Sequence, residues 1–210
     1  MKNIVILGHS IASWSGYDIY GQKSFIDLLV EQLNYNLLAI GVREGSEERI
    51  LQTLKKQKDL DIAIIFHSRA KHLYLPGCDR DVVINKIDKS KCDYLIKISN
   101  PIREKFKDSN TLHRFINEYN QYLNDPSVQN DRFIGALLQI DQFCFHKGIK
   151  CIHIPLTDNI PSWFNFASGN CKPHIQEIAN THLEKGYPNG LSQQGQNVLA
   201  ELLIAELSIL

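Results

Sequence analysis

The run Ile4-Val5-Ile6-Leu7-Gly8-His9-Ser10 constrains this chain more than any other stretch. Four apolar residues in succession fit a strand buried on both faces, the pattern of a parallel sheet covered by helices. The glycine lets the backbone turn as it leaves the sheet, and the serine follows at the strand's carboxyl end, where open α/β sheets keep their ligands. The stretch therefore predicts a buried strand that delivers a nucleophile.

The elements that follow decide what such a strand sits in. Phe25, Ile26, Leu28, Leu29 and Leu33 recur with helical spacing, which predicts a helix over about 23–34. Leu37 to Ile40 reads as a short second strand. Ser46 can cap the next helix, with Glu47 and Glu48 at its positive end and Lys55 and Lys56 at its negative end. Asp61 to Phe66 has the apolar density of a central strand, and Cys151 to Ile154 reads as a fourth. This alternation predicts a three-layer α/β/α, flavodoxin-like parallel sheet ordered 2-1-3-4. Between His67 and Asn110 the pattern weakens, with Tyr94, Ile96 and Ile98 alternating with more polar neighbours, and this stretch is expected to hold a short extra strand or a lid. Two amphipathic helices follow, one through Leu112 to Leu123 ended by Asp125-Pro126, the other through Phe133 to Cys144 ended near Gly148. Leu156 to Gly190 is irregular, and a last helix runs from about Ser192 to the end.

At 210 residues the chain suits one domain, 1–210, with a full hydrophobic core. Basic and acidic residues balance at 23 each, so no overall field favours nucleic acid or an anionic membrane, and neither is an expected partner. No apolar run approaches the roughly 18 residues of a membrane span, and the N-terminus lacks the regions of a signal peptide, which points to a cytoplasmic protein. Cys78, Cys92, Cys144, Cys151 and Cys171 are odd in number and scattered without a Cys-x-x-Cys pair; they read as reduced thiols and offer no metal site. No cofactor is expected. The first turn lacks Gly-x-Gly-x-x-Gly and a Walker lysine; its hydroxyls could pass as a flavin phosphate loop, which a missing yellow chromophore would refute.

In a sheet ordered 2-1-3-4, the loops after the first three strands lie side by side. They carry Gly8-His9-Ser10, Gly41 to Ser46, and His67-Ser68-Arg69. A serine there becomes a nucleophile only if a base takes its proton and donors meet the oxyanion. Gly45 is a donor candidate, because it has no side chain to block approach and precedes a helix start. Trp14, Tyr17 and Tyr20, in the polar and aromatic loop after Ser10, can line a pocket or simply pack over the sheet end.

At this point the order of elements resembles the SGNH or GDSL hydrolases, a family of esterases, lipases and carbohydrate deacetylases. Gly8-His9-Ser10 stands where that family has Gly-Asp-Ser, and Gly45 matches its oxyanion glycine. Phe66-His67-Ser68-Arg69 falls where Gly-x-Asn-Asp is usual, so Ser68 or His67 would take the asparagine's task. Leu191-Ser192-Gln193-Gln194-Gly195 reproduces the continuation of the family's Asp-x-x-His block, with Tyr187 in place of the aspartate and Gly190 in place of the base.

The resemblance implies a Ser10 acyl-enzyme acting on a small ester or an O-acetylated carbohydrate, with Gly45, Ser68, Arg69 and Trp14 around the substrate. The base then has to be His182, His174 or His67. The alternative is an inactive fold kept as a binding or structural module, with a protein partner or self-association open. The altered motifs at His9 and His67-Ser68 also resemble SGNH-like proteins of phages, which would imply a place in a virion. Of the other histidines, His153 in its core strand reads as a hydrogen-bonded core residue. His72, His113 and His146 read as surface, and His9 as a loop anchor.

Overall fold

The computed structural model describes residues 1–8, 10–13, 23–42, 45–67, 72–74, 82–83, 88–122, 124–156, 160–173, 175, 177, 181–182 and 191–209. His9, Trp14, Ser68, Arg69, Cys78, His174 and the segment 183–190 lie outside the described residues, and with them the expectations placed on them.

Five strands form one parallel sheet: β1 (Asn3–Gly8), β2 (Asn36–Ile40), β3 (Ile62–His67), β6 (Lys150–Pro155) and β7 (Gly169–Cys171), in the order β2-β1-β3-β6-β7. The expected 2-1-3-4 arrangement is present, and β7 extends it. Two short strands, β4 (His72–Leu73) and β5 (Val82–Val83), pair antiparallel outside the sheet. The register sets Leu7 beside Ile65 and Gly8 beside Phe66, while Ile65 faces His153 and His67 faces Pro155.

Side-chain alternation along the central strands builds the three layers. Ile4, Ile6, Ile64, Phe66, Ile152 and Ile154 face one side, where α1 (Phe25–Leu33) and α7 (Gln193–Ile209) cover them with Phe25, Ile26, Leu29, Leu199 and Leu203. Val5, Leu7, Ala63, Ile65 and Cys151 face the other, under Ile50, Leu51 and Leu54 of α2 (Glu47–Lys56) and Ile140 and Cys144 of α6 (Pro126–Lys147). Each fully buried Ile or Leu contributes about 1.5–3 kcal/mol, so these two faces dominate the fold's stability. Among the described residues no helix is long and apolar enough to cross a membrane.

Local chemistry sets the helix ends. Ser24 caps α1 and Ser46 caps α2, accepting from the N–H groups of Asp27 and Arg49. Asp125-Pro126 closes one helix and opens the next: Asp125 accepts from the Ser127 N–H at 2.7 Å, and Pro126 occupies the first helical position of α6.

Short extra strands do occur between His67 and Asn110, as β4 and β5, but two details of the expected pattern are corrected. Residues 94–98 belong to a helix, α3 (Lys89–Ile98), followed by α4 (Asn100–Lys105) and α5 (Ser109–Tyr122). Cys92 and Leu95 are the buried pair, three apart, with Tyr94 turned outward; the alternation of Tyr94 and Ile96 is incidental to that stripe. The second correction is β7, which lies in the stretch expected to be irregular. Gly169-Asn170-Cys171 has none of the apolar density of a strand, because an edge strand needs only one paired side.

Candidate active site

Gly8 makes the turn out of β1. Its φ is +134°, and a Cβ there would lie 2.1 Å from the Phe66 carbonyl oxygen on β3, so glycine alone fits. A single 3-10 turn follows, Ser10–Ala12, whose Ile11 and Ala12 are buried in the same cluster as Phe25, Ile175 and Leu191. The Gly41 N–H, just past β2, is shared between the carbonyls of Ile6 and Ala12, each at 2.8 Å. The Ser10 turn is thereby pinned across the ends of β1 and β2. Because β2, β1 and β3 are adjacent and parallel, the turns at Ser10, Gly45 and His67 leave one edge of the sheet.

The second turn is tight. Gly45 is buried, and a Cβ would come within 3.1 Å of Val42 and 3.2 Å of the Gly8 carbonyl oxygen. Its N–H donates to the Val42 carbonyl at 3.0 Å. The donor that the sequence pattern left free is spent within its own turn.

His67 closes β3 and is 1% exposed. Its Nδ1 lies 2.9 Å from Glu47 Oε2, at the first position of α2, and its Nε2 lies 2.9 Å from His153 Nδ1. Both nitrogens are committed, which leaves neither for Ser10. The chain continues from His153 Nε2 to Ser168 Oγ at 3.0 Å, and Ser168 Oγ–H donates to Asp141 Oδ1 at 2.7 Å. Asp141 also accepts the N–H groups of Ala167 and Ser168 at 2.9 and 2.8 Å. The Phe166 ring stacks on His153 with centroids 3.8 Å apart. Desolvation first, and the charge of His67 second, push the His153 imidazole well below its usual range, so it stays neutral.

Sequence reasoning placed His153 in the core with a hydrogen-bond partner, which is where it lies. It missed Asp141, Ser168 and the burial of Glu47. A signal existed for Asp141, which interrupts the apolar stripe of Leu137, Ile140 and Cys144 on α6. No comparable signal marks Ser168 or distinguishes Glu47 from Glu48.

The third element is the start of α7. Leu191 is fully buried, Ser192 caps the helix by accepting from the Gly195 N–H at 3.2 Å, and the Ser192 N–H donates to the His182 carbonyl at 3.1 Å. A Cβ on Gly195 would sit 2.7 Å from His182 Cβ, so the glycine makes room for that histidine. Gln196 and Gln193 reach across to the start of α1, accepting from the Phe25 and Lys23 N–H groups at 2.9 and 3.0 Å. Each member of the Leu-Ser-x-x-Gly frame thus has a structural task, and together they seat His182 against the first turn of α7.

A parallel sheet ordered β2-β1-β3-β6-β7, sandwiched by helices and carrying a Gly-x-Ser turn at the end of β1, is the three-layer α/β/α fold that the sequence predicts. Two solved structures match it over almost their whole lengths. The crystal structure of TesA is 10% identical with a TM-score of 0.51, covering 99% of each chain. The psychrotrophic esterase EstA from Pseudoalteromonas sp., in a form inhibited by monoethylphosphonate, is 9% identical with a TM-score of 0.51, covering 100% of this chain and 98% of its own. At such identities the likeness is one of fold. No family model matches the chain, and no curated protein matches it significantly.

Proposed function

We propose that this protein is a serine hydrolase of the SGNH type, acting on a small ester or an O-acetylated carbohydrate through an acyl-enzyme on Ser10, with His182 as general base. The observation that carries this reading is the Ser192 N–H to His182 carbonyl bond, reinforced by the Gly195 approach. It returns a histidine to the start of the last helix, where the fold's sequence frame calls for a base and Gly190 cannot serve. Among the described residues neither ring nitrogen of His182 has a hydrogen-bond partner, so a lone pair is available. The fold shared with TesA and EstA adds support at its own level.

In the proposed reaction the Ser10 hydroxyl attacks the acyl carbon as its proton passes to His182, and the backbone N–H groups of Ser10 and Gly45 meet the oxyanion. The imidazolium then protonates the departing alcohol, and a water activated by the same ring releases the acid. For Gly45 to take part, its bond to Val42 must be exchanged for one to the substrate oxygen, a net loss of about 0.5–1.5 kcal/mol that a charged acceptor offsets.

That engaged donor also favours the second reading, a non-catalytic module in which the fold is kept for binding or assembly, including assembly into a phage particle. Hydrolysis of p-nitrophenyl acetate separates the two. Ser10→Ala and His182→Gln are each expected to lower kcat roughly 10³-fold or more, and a fluorophosphonate is expected to label Ser10. Equal rates in wild type and Ser10→Ala would assign the chain to the second reading.

A further inference from the structure

The chain Glu47–His67–His153–Ser168–Asp141 has more hydrogen bonds than its ordinary protonation can fill. It contains four contacts of 2.7–3.0 Å, each requiring one hydrogen. Two carboxylates, two neutral imidazoles and one hydroxyl bring three. With all five groups in those forms, one contact would set two lone pairs against each other among groups of which Glu47, His67, His153 and Asp141 are buried and Ser168 is half-buried, so the folded chain holds one proton more. Its place follows from direction. Asp141 accepts two backbone N–H groups and the Ser168 hydroxyl; Ser168 Oγ then accepts from His153 Nε2–H, and neutral His153 accepts from His67 Nε2–H. The extra proton is left between His67 Nδ1 and Glu47.

We propose that His67 is a positioning residue of the oxyanion turn: the proton it shares with Glu47 ties the first turn of α2, and with it Gly45, to the end of β3, while His153, Ser168 and Asp141 anchor the pair to α6 and the sheet edge. Glu47 lies two residues after Gly45 and is 2% exposed, so displacing it moves the turn. The neighbouring charges are engaged with other groups: Glu48 pairs with Arg132 of α6 at 2.7 Å, and the Arg49 guanidinium lies over the Tyr74 ring. This inference rests on the reading of Gly45 as an oxyanion donor, but the proton arrangement does not.

Two measurements on the full chain test it. Imidazole ¹⁵N shifts should show the proton on Nε2 of both His67 and His153 at about pH 7. A proton on Nδ1 and none on Nε2 of either ring overturns the assignment, because the chain would then run the other way. The second measurement compares Glu47→Gln with Glu47→Leu. A glutamine amide can donate to His67 Nδ1 without needing the extra proton, so Glu47→Gln should keep amide exchange at residues 45–47 slow and retain most of the Ser10-dependent esterase rate. Glu47→Leu should speed that exchange, leave β1 and β3 protected, and lower kcat roughly ten- to hundred-fold with KM little changed. Equal exchange and rates in the two variants overturn the proposal. If wild type shows no Ser10-dependent hydrolysis, the proposed activity fails, and the tautomers with the exchange pattern still decide whether His67 fixes the turn.

Discussion

Gly8 shows how much one residue determines here. Its positive φ and its 2.1 Å approach to the Phe66 carbonyl exclude any side chain between the two central strands. Gly8→Ala should therefore cost about 3 kcal/mol or more, read as a drop in urea midpoint. Ser46→Ala is a milder case: loss of the cap on α2 should cost about 1 kcal/mol and raise the exchange rate of the first turn of that helix. Both residues announce themselves in the sequence because their tasks are local, a turn after an apolar run and a hydroxyl before two glutamates. The pairing of Glu47 with His67 does not announce itself. The partners are 20 residues apart, and only the closing of β3 against α2 brings them together. His67 looks like a free base from the sequence for the same reason, since burial and a second histidine on a later strand are properties of the sheet register.

The elements divide between those whose pattern has one solution and those whose pattern has two. β1 and β3 are apolar throughout and admit little but a central parallel strand. Residues 94–98 alternate, but the residues that pack are Cys92, Leu95, Ile102, Leu112 and Ile116, which form a cluster of their own among α3, α4 and α5. That cluster is set apart from both faces of the sheet. Asp88 and Asp108 mark the starts of α3 and α5 by accepting the N–H groups of Lys91 and Thr111; the Ser90 hydroxyl and then the Lys91 N–H on Asp88, and the Thr111 N–H on Asp108, hold both carboxyls below their usual range. A separate core predicts a separate unfolding unit. Ile116→Ala, at a site 2% exposed, should cost the helical group about 2–5 kcal/mol and speed amide exchange in α3 and α5. Exchange in β1, β3 and β6 should stay as in wild type; coordinated loss of protection in the sheet would show that the two cores unfold together.

On the scale of the whole molecule, the buried polar chain crosses from α2 through β3 and β6 to the edge of the sheet, so its charge state bears on global stability. His153 is fully buried and kept neutral by desolvation and by the charge on His67. An unfolded chain exposes that imidazole, which then binds a proton with its ordinary pKa of about 6.5. Below that value the unfolded state holds a proton that folded His153 does not, down to the depressed pKa of the folded state. Stability attributable to His153 is therefore present above about pH 6.5 and lost as pH falls, by at most about 1.4 kcal/mol per pH unit. The capping carboxylates act in a different window. Asp88, Asp108 and Asp125 are held low by hydrogen bonds, so their contribution persists until the pH falls below about 4. Urea midpoints measured from about pH 6.5 to about pH 5.5 should thus fall through His153 before the capping carboxylates are protonated. His153→Gln should lower the midpoint at the upper end, where the chain loses a member, and flatten the decline below it. A wild-type midpoint that holds level across that range, or a decline that survives the substitution unchanged, would mean that some other group controls the acid sensitivity of the fold.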